Sequence, residues 1–277
     1  MKQLIIYADM EGASGIFDEQ RSWLFNGTDD WRKFGRDCIT SDVLAVCNAA
    51  VDFGIDEILL YDGHFAGNCE FNVMLEKLPP IVKVFDVKDR CFDWRRIRGQ
   101  AKQRPFGIIT VGQHARNGEE NAYFPHTIQS PPIKNMYING LHVAEIGQAV
   151  LSFCNTPYLA NIGCAASMKE ALELSSKIVT VTVKDKATGY EPSKEEAYPL
   201  IYQGTIKALE QAEQAEIVKI KPPYLFSMEL CAGYEFDQTQ EISWRGTVNT
   251  TKAEWTAPNI EIGLEIFNYV RGLLRKI

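Results

Sequence analysis

Three short apolar, β-rich runs in this sequence each end in a carboxylate or an imidazole. Lys2–Ala8 runs into Asp9-Met10-Glu11-Gly12-Ala13-Ser14-Gly15, Glu57–Tyr61 into Asp62-Gly63-His64, and Gly107–Val111 into Gly112-Gln113-His114-Ala115. His126 follows in a loop, and His142 and Glu145 flank the start of a helical stretch. Nitrogen and oxygen ligands brought to one edge of a sheet by separate rigid elements are what a metal site demands. Mixed carboxylate and imidazole ligation suits zinc, and also cobalt or manganese. Taken singly, these residues have plainer readings. Asp9 and Glu11 can cap a helix or hold a turn, and a lone strand-end histidine is more often a satisfied surface residue. His142, in a hairpin strand, is read that way, although His142-x-x-Glu145 has the spacing of a ligand pair. Gly12-x-x-Gly15 completes neither a dinucleotide nor a Walker fingerprint. The joint occurrence of the set at equivalent strand ends favours the metal.

The elements that must position these groups follow from periodicity. Lys2–Ala8, Glu57–Tyr61, Gly107–Val111 and Tyr158–Ile162 read as strands. Ser41 is placed to cap a helix with Val43, Leu44, Val46, Cys47, Ala50 and Val51 on one stripe and Gly54 at its C-terminal end. Asn139-Gly140 predicts a tight hairpin within Met136–Val143, and Glu145–Phe153 continues as a helix. Such alternation implies an α/β protein with a mostly parallel, Rossmann-like sheet and helices on both faces. Its ligands belong beyond the carboxyl ends of the strands. After about residue 165 the texture becomes α+β: a helix over Ser167–Ser176, a strand over Lys177–Val183, a long helix from Glu195, a strand over Tyr224–Cys231 and a final amphipathic helix after Pro258. The expected division is a catalytic domain over residues 1–165 and a smaller second domain over 166–277.

Composition narrows the field. In 277 residues, 45% hydrophobic and 23% charged is an ordinary globular balance. No apolar run approaches the roughly 18–20 residues of a membrane span, and Leu4–Tyr7 is too short for a signal sequence core. A formal charge of −7 disfavours nucleic acid and anionic membranes as partners. Seven cysteines (38, 47, 69, 91, 154, 164 and 231), odd in number and never spaced CxxC, read as reduced thiols of a cytoplasmic protein.

The run Ala8–Gly15, Asp62-Gly63-His64, Gly112-Gln113-His114-Ala115, His126, and Tyr137-Ile138-Asn139-Gly140 leading to Glu145-Ile146-Gly147 together resemble the D-aminopeptidases of peptidase family M55, the dipeptide-transport-associated type. The resemblance spans at least residues 3 to 175. It implies two zinc ions per subunit, with Asp9 bridging, Glu11 and His64 completing one ion's ligands, and His114 and Glu145 the other's. His126 matches the family's catalytic histidine, as oxyanion stabiliser or proton donor to the leaving amine, and His142 has no counterpart. The implied activity is aminopeptidase action on small peptides or amides, including D-amino-acid peptides, by a hydroxide shared between the ions. A ring-like homo-oligomer is implied as well.

Charge supports such a set. Three carboxylates against two divalent ions leave +1, which a bridging hydroxide neutralises, and three protein ligands per ion leave positions for water and substrate. Asp62 is expected to orient a ligand imidazole. Two departures bear on the substrate: Gly163-Cys164-Ala165-Ala166 stands where the family carries acidic residues, and Trp23–Arg36 is longer than the pattern. Trp23, Phe25 and Trp31 are read as packing or subunit contacts. The competing readings are another two-metal hydrolase, an amidohydrolase or a phosphoesterase with Arg116 as its cation, and a non-catalytic metal-binding subunit.

Overall fold

Leu4, Ile6 and Ala8 face one way along the first strand, Ile5 and Tyr7 the other, and all five are buried. A strand apolar on both faces belongs at the centre of a covered parallel sheet. The computed structural model, which describes residues 1–64, 70–85, 98–153, 155–239 and 244–277, has that architecture. Its strands are β1 (Gln3–Ala8), β2 (Glu57–Asp62), β3 (Val82–Val84), β4 (Gly107–Gln113), β5 (Ile133–Ile138), β6 (Leu141–His142), β7 (Tyr158–Cys164), β8 (Val179–Lys184), β9 (Tyr224–Leu230), β10 (Tyr234–Phe236), β11 (Gly246–Val248), β12 (Lys252–Ala257) and β13 (Leu274–Lys276). Six of them form a parallel sheet in the order β3-β2-β1-β4-β7-β8. A five-stranded antiparallel sheet runs β11-β12-β9-β5-β6, and β10 pairs with β13.

One face of the parallel sheet is covered by α1 (Arg36–Phe53) and α4 (Lys194–Glu210), which pack on each other. The other face carries α2 (Glu145–Ser152), α5 (Ile260–Arg271) and the inner face of the antiparallel sheet, through Met136, Ile138, Phe226, Met228 and Trp255. A further helix, α3 (Ala165–Leu174), follows β7 directly. Local chemistry accounts for several boundaries. Ser193 and Glu196 close a capping box on α4, Asn259 accepts from the Ile262 N–H at the start of α5, and Gly54 ends α1 at φ +86°. Asn139 and Gly140 both have positive φ, as the predicted hairpin turn requires.

One expectation is corrected. Ser41 caps nothing: α1 begins five residues earlier, continuing from a turn over Trp31–Gly35 that buries Trp31 and bonds its indole N–H to Asn72. Tertiary packing of that indole overrides the local cap signal. The parallel sheet takes β8 as its edge strand, and β5 and β6 belong to the antiparallel one. Cys38, Cys47, Cys164 and Cys231 are free thiols, and Cys69, Cys91 and Cys154 lie outside the described residues. No helix among the described residues is long and apolar enough to cross a membrane.

Candidate active site

Strands β2, β1 and β4 are neighbours, so their carboxyl ends lie side by side, and the chain is built to let those ends approach closely. The Asp9 N–H donates to Val111 O (2.9 Å), Gly12 N–H to Gly112 O (2.8 Å) and Gly63 N–H to Ala8 O (2.8 Å). A Cβ on Gly12 would stand 1.9 Å from the Gln113 carbonyl oxygen, and one on Gly112, at φ +68°, 2.0 Å from that of Asp9. These glycines serve backbone contact between strand ends rather than a phosphate loop.

The loop after β1 is held from beneath. Lys184, at the carboxyl end of β8 and fully buried, donates to the carbonyls of Glu11 (2.8 Å), Ala13 (2.8 Å) and Ile16. Asp42 of α1 accepts from the backbone and hydroxyl of Ser14. The Lys184 ammonium also lies 5.2 Å from the Tyr123 ring centre. Burial lowers its pKa to about 8, and burial raises that of Asp42 to about 6 against the hydrogen bonds from Ser14.

So supported, the predicted residues converge. The His64 Nδ1 is 3.0 Å from Glu11 Oε2 and 3.5 Å from Asp9 Oδ1. The His114 Nε2 is 3.4 Å from Asp9 Oδ2 and 3.5 Å from Glu145 Oε1, the first residue of α2. His126 joins them, its Nε2 3.5 Å from the same Glu145 oxygen and its ring stacked on His114 with centroids 3.9 Å apart. Asp9 thus presents one oxygen to each side of the cluster. All but His126 are buried. His142 lies apart, packed against Tyr137 in the β5–β6 hairpin.

The outer nitrogens of the three histidines follow one rule. His64 Nε2 meets Leu24 O at 2.8 Å, His114 Nδ1 meets Ala115 O at 2.8 Å and His126 Nδ1 meets Phe124 O at 2.9 Å. A carbonyl only accepts, so each ring spends its N–H there and turns its other nitrogen to the carboxylates, the tautomer a metal-ligating histidine adopts. His114 Nε2 and both Glu145 oxygens are buried and without hydrogen-bond partners among the described residues. Orphaned atoms of this kind cost about 1–3 kcal/mol each unless something else meets them. Burial disfavours the imidazolium of His64 and of His114. Glu11 and Asp9 for the one, and Glu145 and Asp9 for the other, outweigh it and hold both pKa values well above the ordinary range. Burial likewise works against the Asp9 carboxylate, and His114 and His64 hold it well below its usual value. The centre of the cluster is therefore a place that demands positive charge, and its donors fit divalent metal ions.

Asp62 does not do what its spacing suggests. Its carboxylate accepts from the Asn72 backbone, the Asn72 side chain and the Val73 N–H, and Asn72 in turn donates to the His64 carbonyl. It thereby secures the His64 backbone, while the ring is oriented by Leu24. Arg116 faces away, in a two-armed pair with Glu173 (2.8 and 3.2 Å). Sequence reading also missed Lys184, whose only signal is a lysine closing an apolar strand, and the Leu24 carbonyl, which has none.

The cluster opens into a cavity of about 710 Å³, walled further by Arg21, Phe25, Phe124, Ile128, Gln148 and Arg271. Phe25 is thus part of the cavity rim, whereas Trp31 is core. Phe124 and Ile128, on either side of His126, have φ of +51° and +57°, conformations that side chains of this size rarely adopt and that recur at functional loops.

A parallel α/β sheet whose central strand ends gather three carboxylates and three imidazoles at a cavity defines a protein of the metal-dependent hydrolase class. The chain belongs to peptidase family M55, the D-aminopeptidases, whose family model matches residues 1–269. No curated protein matches it in sequence. Among solved structures it is similar to the Zn-dependent D-aminopeptidase DppA from Bacillus subtilis, described as a self-compartmentalizing protease, with a TM-score of 0.80 and 21% identity over 98% of this chain and 97% of that one.

Proposed function

We propose that this protein is a dinuclear zinc aminopeptidase that removes the first residue of short peptides with a free N-terminus, D-amino-acid peptides among them. The observation that carries this reading is the set of buried, unpartnered donor atoms, His114 Nε2 and both Glu145 oxygens, beside an Asp9 that offers one oxygen to each side. Asp9, Glu11 and His64 would hold one ion, and Asp9, His114 and Glu145 the other. Bound there, two zinc ions supply Lewis acidity and a hydroxide nucleophile at neutral pH. The chain's own part is positional. Leu24, Ala115 and Phe124 orient the imidazoles, Lys184 fixes the loop that carries Asp9 and Glu11, and the walls of Leu24, Phe25, Phe124 and Ile128 limit water. His126, with its Nδ1–H committed to Phe124, takes up a proton at Nε2 and returns it to the leaving nitrogen.

A cytoplasmic homo-oligomer belongs to the same reading. The free thiols of Cys38, Cys47, Cys164 and Cys231 suit a reducing compartment, and the structural neighbour is described as self-compartmentalizing. The test is metal analysis together with turnover of D- and L-aminoacyl peptides and amides and of phosphomonoesters. Two zinc ions per chain with peptide turnover is the expected result. Phosphoester turnover alone, or metal without turnover, overturns it.

A further inference from the structure

Tyr7, near the carboxyl end of β1 and two residues before Asp9, lines the same cavity as the ligand cluster, and nothing described so far uses its hydroxyl. The residue is 3% exposed. Its ring stacks on that of Tyr61, its partner across the β1–β2 pair, with centroids 4.7 Å apart and planes within 15°. The outer end of the ring lies against Gly63. A Cβ there would stand 3.0 Å from Tyr7 Cε1 and 3.2 Å from Cζ, the carbon that bears the hydroxyl. Gly63 itself lines the cavity, and His64 follows it. On the other side the Tyr7 carbonyl accepts from the Gln113 amide at 3.5 Å, next to His114. The phenol is thus held between the strand ends that deliver His64 and His114.

Packing asks only for the ring. A phenylalanine would stack on Tyr61 and fill nearly the same space, so the hydroxyl needs another reason. It makes no hydrogen bond among the described residues. A buried hydroxyl left unpaired costs about 1–3 kcal/mol, and a buried tyrosine usually finds its O–H a partner. In the wall of a cavity, that partner is an acceptor brought by whatever the cavity binds. Within the cluster the three carboxylates accept, and the three imidazoles spend their N–H groups on backbone carbonyls. Tyr7 adds a neutral donor to a centre otherwise built of acceptors.

Resting on the aminopeptidase reading above, we propose that Tyr7 is a further catalytic residue, whose hydroxyl donates to the peptide carbonyl oxygen as that oxygen becomes negative. As hydroxide adds to the carbonyl carbon, the π pair passes to oxygen, and Tyr7 meets it with a hydrogen bond while keeping its own proton. When the pair returns, the C–N bond breaks and the leaving nitrogen takes its proton from His126. A donor fixed before the reaction stabilises developing charge best, because nothing has to reorganise. The stack on Tyr61 and the contact with Gly63 supply that fixity.

The experiment uses the zinc-loaded protein with D-Ala-D-Ala amide as substrate. The inhibitor is the phosphinate analogue of that amide, in which a tetrahedral phosphinate and a methylene replace the peptide CO–NH. In Tyr7→Phe the expected result is a fall in kcat of about 10²–10³-fold, the cost of losing one such donor, with KM and zinc content unchanged. Phosphinate affinity should fall by a similar factor while the product D-alanine binds as before. Unchanged kcat and phosphinate affinity overturn the inference and leave the peptidase reading standing. So does equal weakening of phosphinate and D-alanine, the mark of a packing defect, and so does loss of zinc, which would make the effect of Tyr7 one on the ligands. A crystal structure of the unmodified protein with the phosphinate gives an answer that does not require the variant to fold. Tyr7 Oη within hydrogen-bond distance of a phosphinate oxygen is expected, and a hydroxyl directed elsewhere overturns the proposal. Absence of peptide hydrolysis by the unmodified protein is a separate result, which overturns the peptidase reading and this inference with it.

Discussion

His114 and His126 lie face to face, with ring centroids 3.9 Å apart and planes within 10°. His114 is fixed by the carboxyl end of β4, and His126 by its own N–H to Ala115 O at 3.1 Å, so the stack joins a rigid strand end to a loop. Both rings direct Nε2 at the same Glu145 oxygen, 3.5 Å away in each case. They differ in burial: His114 is 1% exposed, whereas the His126 side chain keeps 18% exposure and lines the cavity. The buried ring suits a permanent ligand and the partly exposed one a group that meets substrate.

Replacing each ring separates these roles. His126→Ala is expected to keep two metal ions per chain and to lose about 10²–10⁴-fold in kcat, the range of a general acid–base group. His114→Ala is expected to lose one ion as well. Metal content by elemental analysis beside kcat on a D-aminoacyl peptide decides it, and loss of metal in His126→Ala would make His126 a ligand instead.

Lys184 holds its loop through three carbonyls and is itself fully buried. Lys184→Met leaves those acceptors without their donor, and each buried unsatisfied group costs about 1–3 kcal/mol. The expected outcome is a large fall in denaturation midpoint with zinc affinity weakened about 10–100-fold, as for groups that orient ligands from behind. Unchanged affinity in a folded variant would show that the loop keeps its shape unaided.

Much of this cluster was legible because most of its members follow a simple rule: a β-branched apolar run, then a carboxylate or histidine at its carboxyl end. The parallel pairing of β1 with β2 and β4 does the rest. The hairpin at Asn139-Gly140 was legible for the same reason, since few residues tolerate its dihedral angles. What was not legible depends on contacts distant in sequence. Leu24 contributes only its backbone to His64, Lys184 reaches the β1 loop from 168 residues or more away, and Arg271 arrives from the last helix. Asp62 lay at the right spacing to serve the His64 ring, but Asn72, brought in by a loop, captured its carboxylate.

Asp42 gives a pH dependence with a definite sign. Burial raises its pKa to about 6, above the roughly 3.9 of an unfolded aspartate. The folded state therefore disfavours the charged form. Asp42 lowers stability by up to about 3 kcal/mol above pH 6, and that penalty is relieved as pH falls toward 4. Other groups titrate in the same window, so the measurement is a difference. The stability of Asp42→Asn relative to the unmodified protein should rise between pH 4.5 and 7.5, read from urea midpoints at each pH. A difference that is flat with pH would place the Asp42 pKa near its ordinary value.

Removing metal tests the centre as a whole. With no ion present, His114 Nε2 and both Glu145 oxygens stay buried without hydrogen-bond partners, and the cluster keeps three carboxylates within one small volume. A ligand that binds only the folded state stabilises it by RT ln(1 + [L]/Kd), about 4.1 kcal/mol at a thousandfold excess over Kd. Chelation should therefore lower Tm by several degrees, and zinc should restore it with a midpoint that reports affinity. In Asp9→Asn, which leaves the shape but removes the charge facing both His64 and His114, zinc should restore little. Full restoration of Tm by zinc in that variant would mean that Asp9 does not hold the ions, and the bridging role would pass to another group.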